Sequence, residues 1–452
     1  MVFRRKIYDK LLDWKRGFSK EKALLVEGAR RIGKSTIVEE FAKAEYKSYI
    51  LVDFNDASTV VTDAFSKHLN DLDTFFFILS TEYNKTLYPG ESLIVFDEIQ
   101  KFPKARQSIK KLVKDGRYDY IETGSLISIK ENVKDITIPS EERAIKMYPM
   151  DFEEFCWALG EEKMIEYIKR CFSERKPLEE IFHHKAMLLF KQYMLVGGMP
   201  KVVAKYLENN RSFSAPDAEK RDILSLYRND IDKADKTYRS KVAAIFEQIP
   251  GFLSKHEKRV RLSNIDGNAA YPAYEDTFFW LGNSMICNEC FCCDDPNVGL
   301  AFSQDRAFIK CYMGDTGLLV SHAFNEKEIE SGELYRRILH DDLSINEGML
   351  FENAIAQCLT ANGYTLFFYT HYSEEKHRND MEIDFIISNN SKTKPKIFPI
   401  EVKSGKRYET KSLTKFTETY GQRIGEAYIV HTKNLTIKDG VLCLPSYMAF
   451  LL

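Results

Sequence analysis

The sequence predicts a multidomain α/β protein whose first domain is a parallel sheet built around a phosphate-binding loop. Residues Gly28–Ser35 (GARRIGKS) match G-x-x-x-x-G-K-[ST] and lie between a strand-like and a helix-like stretch. The apolar stretch Ser92–Asp97 ends in two adjacent carboxylates, Asp97 and Glu98. Strand and helix patterns alternate over roughly the first 150 residues, an order typical of a parallel sheet with helices on both faces.

The loop has the residue types that hold the phosphates of a nucleotide. Its glycines let backbone N–H groups surround anionic oxygens, and its lysine can reach the β- and γ-phosphates. The serine hydroxyl can bind Mg²⁺, and the following helix directs its positive N-terminal end at the phosphates. The sequence therefore predicts ATP and Mg²⁺ as ligands. The residues expected to bind them are Gly28, Arg30, Arg31, Gly33, Lys34, Ser35 and Thr36.

The carboxylates after the second motif complete a nucleotide-hydrolysis site. Asp97 is expected to hold the hydrated Mg²⁺ and Glu98 to orient the attacking water. Because adjacent strand residues face opposite ways, the two carboxylates cannot share one role. A further strand ends at Thr123 and Ser125, where a sensor of the γ-phosphate is expected; a simple strand-ending turn is the alternative.

Five stretches are predicted as the strands of this sheet: Ala23–Glu27, Ser48–Asn55, Ser92–Asp97, Tyr118–Thr123 and Ile145–Met150. Helical patterns separate them.

Composition narrows the possible classes of protein. A chain of 452 residues is long enough for two or three domains. The net charge of −2 excludes a polycation that coats nucleic acid, so any DNA contact must be local. No apolar run approaches the roughly 20 residues of a membrane span. Nine cysteines without a secretory signal predict reduced thiols and a cytoplasmic location, with no membrane contact.

The middle of the chain is predicted to be helical and then winged-helix-like. The stretch Ala269–Ser284 contains acidic residues and no Lys or Arg, which disfavours DNA contact and leaves packing or an inter-subunit role as the alternative. The only nearby cationic feature is Lys255–Arg261 (KHEKRVR). The cysteines Cys287, Cys290, Cys292 and Cys293 are too crowded for four ligands of one zinc ion, so we expect buried thiols in a strand.

The C-terminal part has a second set of residues that suggests a catalytic site. Glu352 lies at the edge of an apolar helical stripe, so its carboxylate can point into a cleft. Asp384 lies on one predicted strand, and Glu401 and Lys403 share a face of the next. This is the constellation of the PD-(D/E)xK nuclease fold. Asp384 and Glu401 are expected to bind Mg²⁺, Lys403 to stabilise charge or position the water, and Glu352 to complete or support the site.

Local charge also suggests a phosphodiester substrate for this region. Residues Lys392–Arg423 contain nine Lys or Arg and three Asp or Glu, a local charge of +6. Two plainer explanations remain open. The segment could be a solvated basic loop, and Glu401 and Lys403 could form a surface ion pair.

Taken together, these residues resemble a family of bacterial and archaeal AAA-type ATPases whose C-terminal domain of unknown function resembles restriction endonucleases. The matching segments follow the family's order through nearly the whole chain: GARRIGKST, LIVFDEIQ, ETGSLIS, MYPMDFEEF, YMLVGGMP, LYRNDI, CYMGDTGLL, LFENAIAQCL, MEIDFII and PIEVKSG.

The resemblance implies ATP binding and hydrolysis, a winged-helix middle and a nuclease-like end. It also implies a homo-oligomer in which an arginine of a neighbour completes the ATP site. Arg143 and Arg228 are the candidates, with surface salt bridges as the alternative. The expected domains are an AAA-type P-loop core at 1–155, a helical lid at 156–235, a winged-helix-like domain at 236–325 and a restriction-endonuclease-like α/β domain at 335–452.

Two functional hypotheses follow. In the first, ATP binding or turnover gates a Mg²⁺-dependent nuclease that acts on DNA through the basic C-terminal domain. In the second, the chain is a nucleotide switch whose C-terminal domain binds DNA or a protein partner without cleavage.

Overall fold

The computed structural model describes residues 1–125, 139–265, 271–324, 332–339, 347–375, 377–389, 396–405 and 408–452. The chain separates into two compact units. The first comprises Met1–Tyr148 with Asn283–Met285, and the second comprises Pro149–Gly282 with Ile286–Leu452.

The first unit contains a five-stranded sheet in which every pairing is parallel. Its strands are β1 (Ala23–Glu27), β2 (Ser48–Asp53), β3 (Ser92–Asp97), β4 (Asp119–Gly124) and β5 (Glu142–Lys146). They lie side by side in the order β2-β3-β4-β1-β5. Every residue of β1, β3 and β4 is buried, as expected for strands covered on both faces. The predicted parallel core is confirmed.

Among the described residues of the first unit, five helices accompany this sheet: α1 (Ile7–Gly17), α2 (Lys34–Glu45), α3 (Thr59–Lys67), α4 (Leu72–Glu82) and α5 (Pro103–Asp115). Aromatic side chains fill the space between the helices and the strands. Phe65 of α3 contacts Phe75 of α4 and Phe96 of β3 with ring centroids 4.9 and 5.5 Å apart. This rigid packing fixes the strand ends, from which the site residues project.

The second unit contains the remaining helices of the described residues. They are α6 (Phe152–Ala158), α7 (Glu162–Glu174), α8 (Glu180–Val196), α9 (Pro200–Glu208), α10 (Ser214–Ile231), α11 (Arg239–Leu253), α12 (Glu275–Ser284), α13 (Thr316–Ala323), α14 (Glu333–Leu339), α15 (Glu347–Ala361) and α16 (Lys411–Tyr420). The sequence also predicts that Gly197-Gly198, before Met-Pro, breaks or kinks a helix, and α8 does end there, with φ of +83° at Gly197. Among the described residues, no helix is long and apolar enough to cross a membrane.

An eight-stranded mixed sheet forms the other part of the second unit. Its strands are β6 (Cys287–Cys293), β7 (Gln304–Met313), β8 (Leu366–Ser373), β9 (Arg378–Asn389), β10 (Lys396–Lys403), β11 (Tyr428–His431), β12 (Thr436–Lys438) and β13 (Val441–Pro445). The spatial order is β12-β13-β11-β10-β9-β8-β6-β7. The predicted antiparallel pair of strands on either side of 390–395 is confirmed as β9 and β10; 390–395 lie outside the described residues.

The predicted winged-helix middle domain is not confirmed. Its expected wing strand, β6, pairs in parallel with β8 of the C-terminal region and antiparallel with β7. One sheet therefore crosses the expected limit between 325 and 335. The sequence also predicts a linker at 326–343, but part of it forms α14, whose Leu334, Tyr335 and Ile338 are buried. The rest of that stretch lies outside the described residues.

One buried carboxylate connects distant parts of the second unit. Asp315 accepts hydrogen bonds from the backbone N–H of Gly198 (2.5 Å) and of Leu318 (2.9 Å), and from the Gln357 amide (3.3 Å). Asp315 is fully buried, and burial raises the pKa of its carboxyl while these donors and Lys220 lower it. The break between α8 and α9, the start of α13 and the helix α15 thus meet at one side chain.

We expect Asp315→Ala to lower the free energy of unfolding of the second unit by about 2–4 kcal/mol, because two buried N–H groups lose their acceptor. Urea unfolding followed by circular dichroism measures this change. Asp295→Ala is the matched control, since the Asp295 carboxylate accepts one exposed N–H, that of Asn297. Equal losses in the two variants would contradict the central role of Asp315.

Candidate functional site

The phosphate-binding loop connects β1 to α2 and has glycine where no other residue fits. Gly33 has φ of +89°, in the left-handed region. A Cβ added to Gly28 would lie 2.5 Å from the Met147 carbonyl oxygen and 2.4 Å from Ile32. The loop therefore approaches its surroundings as backbone alone, which leaves N–H groups available to anionic oxygens.

Lys34 is a buried ammonium group at the start of α2. Its Nζ donates to the carbonyl oxygens of Gly28 (3.0 Å) and Ala29 (2.8 Å), and its side chain is buried. Burial lowers the pKa of Lys34 to about 8, although Glu98 and Asp97 act in the opposite direction. A buried cation that donates only to neutral carbonyls in this way fits an anionic ligand such as a nucleotide phosphate.

The two residues expected to bind Mg²⁺ are in contact. The Ser35 hydroxyl donates to Asp97 Oδ1 at 2.8 Å. The hydroxyl of Thr123, which is fully buried on β4, donates to the same carboxylate oxygen. Ser35, Asp97 and Thr123 thus converge from three elements, and their oxygens are of the type that Mg²⁺ prefers. Ser125, the other sensor candidate, is also buried.

Glu98 leaves the strand that ends at Asp97. Its backbone is left-handed, with φ of 54°, and its carboxylate accepts a hydrogen bond from the Gln100 amide at 2.5 Å. Asp97 instead contacts Ser35 and Thr123. The two carboxylates therefore have different surroundings, as the sequence predicted.

The remaining candidates for the nucleotide site are Arg30, Arg31, Thr36, Arg143 and Arg228. Arg31 and Thr36 are exposed, and Arg30 is half-buried. The guanidinium of Arg143 lies over the ring of Phe18, 4.2 Å from its centroid. Arg228 forms a two-point ion pair with Glu247, at 2.6 and 3.1 Å. A catalytic role for either arginine in a neighbouring subunit stays a prediction.

In the second unit, Glu352 of α15 is a buried anion held by cations. It pairs with Lys258, accepts a hydrogen bond from the Tyr312 hydroxyl, and lies 3.5 Å from Lys310 Nζ. Burial alone would raise the pKa of Glu352, but the charges of Lys258 and Lys310 outweigh it and hold the pKa at about 2. Both of its carboxylate oxygens thus have partners among the described residues.

Asp384 and Glu401 lie on neighbouring strands where regular pairing stops. The β9–β10 ladder runs to Phe385 and Ile400, and the Val402 N–H then donates to Asp384 Oδ2 at 2.8 Å. Burial raises the pKa of Asp384, and the Glu352 carboxylate raises it further. β9 and β10 therefore separate at Asp384 and Glu401, although each strand continues.

Glu401 has one engaged and one free oxygen. Its Oε1 lies 2.6 Å from Lys403 Nζ, and its buried Oε2 has no hydrogen-bond partner in the described part of the chain. Burial raises the pKa of Glu401 to about 7, Lys403 opposes this, and Asp384 adds to it. A buried oxygen without a donor, beside a second carboxylate, fits a divalent cation. The predicted pair of Glu401 and Lys403 exists, but the carboxylate is buried.

Lys258, Lys310 and Tyr312 were not predicted as site residues from the sequence. Lys310 is 1% exposed in the middle of β7 and also lies 4.0 Å from Glu382. A lysine within the apolar stretch FIKCYM was a usable signal, because a buried charge needs a partner. Lys258 belongs to the basic run Lys255–Arg261, whose sequence does not indicate which partner it reaches.

The expected basic surface is weaker than its local charge of +6 suggests. Lys403, Lys411 and Lys415 pair with Glu401, Glu409 and Asp380, respectively. Four further cations of the segment lie outside the described residues: Lys392, Lys394, Lys406 and Arg407.

The structure gives no support for a zinc site. All four cysteines of β6 are buried thiols. Within the described ranges, no group of three or more His, Cys, Asp or Glu side chains is arranged to hold a metal ion.

Comparison with known families divides the chain into three matched regions. An AAA domain matches residues 20–156. Two domains of unknown function match residues 187–328 (DUF8612) and 347–447 (DUF4143). No curated protein matches the chain at a significant level.

Several solved structures share only weak similarity with the chain. PCH-2 of C. elegans is 12% identical over 37% of this chain and 48% of its own, with a TM-score of 0.22. The S. cerevisiae Hsp104-ADP complex is 12% identical over 80% of this chain and 53% of its own, with a TM-score of 0.28. A STAND protein of Pyrococcus horikoshii with a tetratricopeptide repeat sensor is 12% identical over 80% and 48%, with a TM-score of 0.28.

The chain thus spans about half the length of these structures, and similarities this weak do not distinguish one function from another. The matched AAA domain and the geometry of the loop agree independently. Residues 20–156 are an AAA-type P-loop ATPase domain.

Proposed function

We propose that this protein hydrolyses ATP and couples its nucleotide state to Mg²⁺-dependent cleavage of DNA by the second unit. The single observation that carries the nuclease part is the buried, unpartnered oxygen of Glu401 beside Asp384 and Lys403. Most buried polar atoms of native proteins have a hydrogen-bonding or cationic partner, so this oxygen suggests a place for a cation or a water molecule.

In the ATPase domain, each contact suggests one role. Lys34 binds the phosphates, since it is a buried cation without an anionic hydrogen-bond partner in the described chain. Ser35 and Asp97 would hold Mg²⁺, which withdraws charge from the phosphate oxygens when bound. Thr123 fixes the Asp97 carboxylate through its hydrogen bond, and Glu98 orients the attacking water.

In the nuclease-like region, Asp384 and Glu401 would hold Mg²⁺, which makes a bound water more acidic. Lys403 carries a positive charge next to Glu401 and is 26% exposed, so it can also contact a phosphate oxygen. Glu352 keeps Lys258 and Lys310 charged and in place. Its own charge is balanced by these lysines, so it does not repel a phosphodiester.

The alternative is a nucleotide switch whose C-terminal region binds DNA or a protein without cutting it. One observation favours this alternative. Glu352 and Glu401 both have lysine partners already, so the cluster is partly neutralised without a metal. Under this alternative, ATP-dependent binding survives the double substitution Glu401→Ala and Lys403→Ala.

We expect Thr123→Val to retain ATP binding but to slow ATP turnover about 5- to 100-fold, because Asp97 loses a buried donor worth about 1–3 kcal/mol. Fluorescent nucleotide titration and phosphate release measure the two quantities. Thr123→Ser should restore turnover. Loss of nucleotide affinity with unchanged turnover would contradict the positioning role.

We expect Lys403→Ala to reduce cleavage of plasmid and single-stranded DNA about a hundredfold or more in Mg²⁺ or Mn²⁺, because a charge at the phosphate is lost. Removal of the metal with EDTA should abolish cleavage. Lys411→Ala is the matched control, since Lys411 belongs to the same basic segment and pairs with Glu409 at the surface.

Coupling is tested by adding ATP to the wild type and to Lys34→Ala. ATP should change the cleavage rate of the wild type only. If neither protein cleaves any DNA or RNA form, with or without ATP, the nuclease proposal is wrong and the switch remains.

A further inference from the structure

We propose that the basic run Lys255–Arg261 and the outward bulge of β7 form a binding site for a single-stranded segment of nucleic acid. This inference rests on the proposed function, because it names the substrate form that the nuclease-like region takes. It is carried by four residues that no motif explained: Lys258, Arg259, Arg261 and Phe308.

The basic run lies along the edge of the larger sheet, beside Glu352 and the side chains that contact it. The Val260 N–H donates to the Ile309 carbonyl oxygen at 2.9 Å, which holds the run against β7. Lys258, with φ of 50°, directs its ammonium inward to Glu352. One short segment therefore contacts the carboxylate cluster and presents its other cations at the surface.

A bulge in β7 opens the sheet edge at the same place. On β6, Phe291 and Cys292 are consecutive, but they pair with Ile309 and Asp305 of β7. Residues 306–308 are therefore extra on β7, and all three are exposed. Bulges commonly redirect side chains next to functional sites. Here the bulge presents an aromatic ring, Phe308, that is 42% exposed.

The run and the bulge enclose a cavity of about 270 Å³ lined by Glu257, Arg259, Val260, Arg261, Ala307 and Phe308. The Arg259 guanidinium lies over the Phe308 ring, 4.9 Å from its centroid. Arg259 and Arg261 both donate to Glu257 Oε2, at 2.7 and 2.8 Å. Two arginines share one carboxylate, so the cavity keeps a net positive charge.

An aromatic ring, a stacked guanidinium and a net positive charge fit a base together with its phosphate. Bases of a duplex are already stacked on one another, so only an unpaired base offers its face to Phe308. Lys310 follows Phe308 by two residues, about 7 Å along a strand. A strand stacked on Phe308 therefore lies on the same stretch of β7 as Lys310, which contacts Glu352.

The test measures the binding of labelled oligothymidylate, and of a blunt duplex of the same length, to the full chain. Binding is monitored by fluorescence anisotropy in EDTA, so that no cleavage occurs. We expect tighter binding of oligothymidylate than of the duplex. Phe308→Ala should weaken oligothymidylate binding about 5- to 100-fold, the usual effect of removing a stacking platform, and leave duplex binding unchanged. Phe308→Trp should restore affinity.

Phe302→Ala is the matched control, because Phe302 is 90% exposed on the same hairpin and does not line the cavity. It should leave affinity unchanged. Arg261→Ala should reduce the dependence of log affinity on log salt by about one unit. Thermal unfolding and ATP binding of each variant verify that it is folded.

Three outcomes would overturn the inference: duplex bound as tightly as oligothymidylate, Phe308→Ala without effect, or polyglutamate bound as tightly as the oligonucleotide. Cleavage is a separate readout in Mg²⁺. Phe308-dependent binding without cleavage supports the inference and contradicts the nuclease proposal. Cleavage that does not depend on Phe308 supports the nuclease proposal and contradicts the inference.

Discussion

The second unit depends on the buried carboxylate of Asp315. A fully buried anion must find donors, and Asp315 finds them on Gly198, Leu318 and Gln357, which are far apart in sequence. One turn before Gln357 on α15, Asn353 donates to Thr316 and to the Met313 carbonyl. These hydrogen bonds thus fix the rotation of α15 about its axis, and that rotation directs Glu352 toward β7.

The charged side chains around Glu352 are arranged on and beside this fixed helix. Desolvation makes a lone buried carboxylate costly, and Glu352 remains ionised because Lys258 and Lys310 neutralise it. The charge of Glu352 in turn raises the pKa of both lysines and keeps them protonated. The three side chains therefore depend on one another, while burial raises the pKa of Asp384 and Glu401.

The sequence predicted the features that depend on local pattern. The loop at Gly28–Ser35 and four strands of the first sheet follow from glycine spacing and apolar runs. The fifth strand was expected at Ile145–Met150 but lies at Glu142–Lys146, a stretch of half-buried and exposed residues that has no apolar run. Helical periodicity placed Glu352 at the edge of an apolar stripe, and the residue is buried. Pairing between distant segments was not predictable. β6 joins β8 from far along the chain, so the expected wing became part of the larger sheet. The partners of Glu352 were missed for the same reason, because Lys258 and Lys310 reach it only through that sheet.

The two glutamates of this region differ in what a cation can do to them. Glu352 has partners on both oxygens, so an added ion would have to compete with Lys258 and Lys310 for the same carboxylate. Glu401 keeps one oxygen free while the other contacts Lys403. A divalent ion bound at Glu401 would therefore not have to displace Lys403, and the lysine would remain within reach of a phosphate. The asymmetry between these glutamates, and not the number of carboxylates, makes metal-assisted chemistry at β10 physically reasonable.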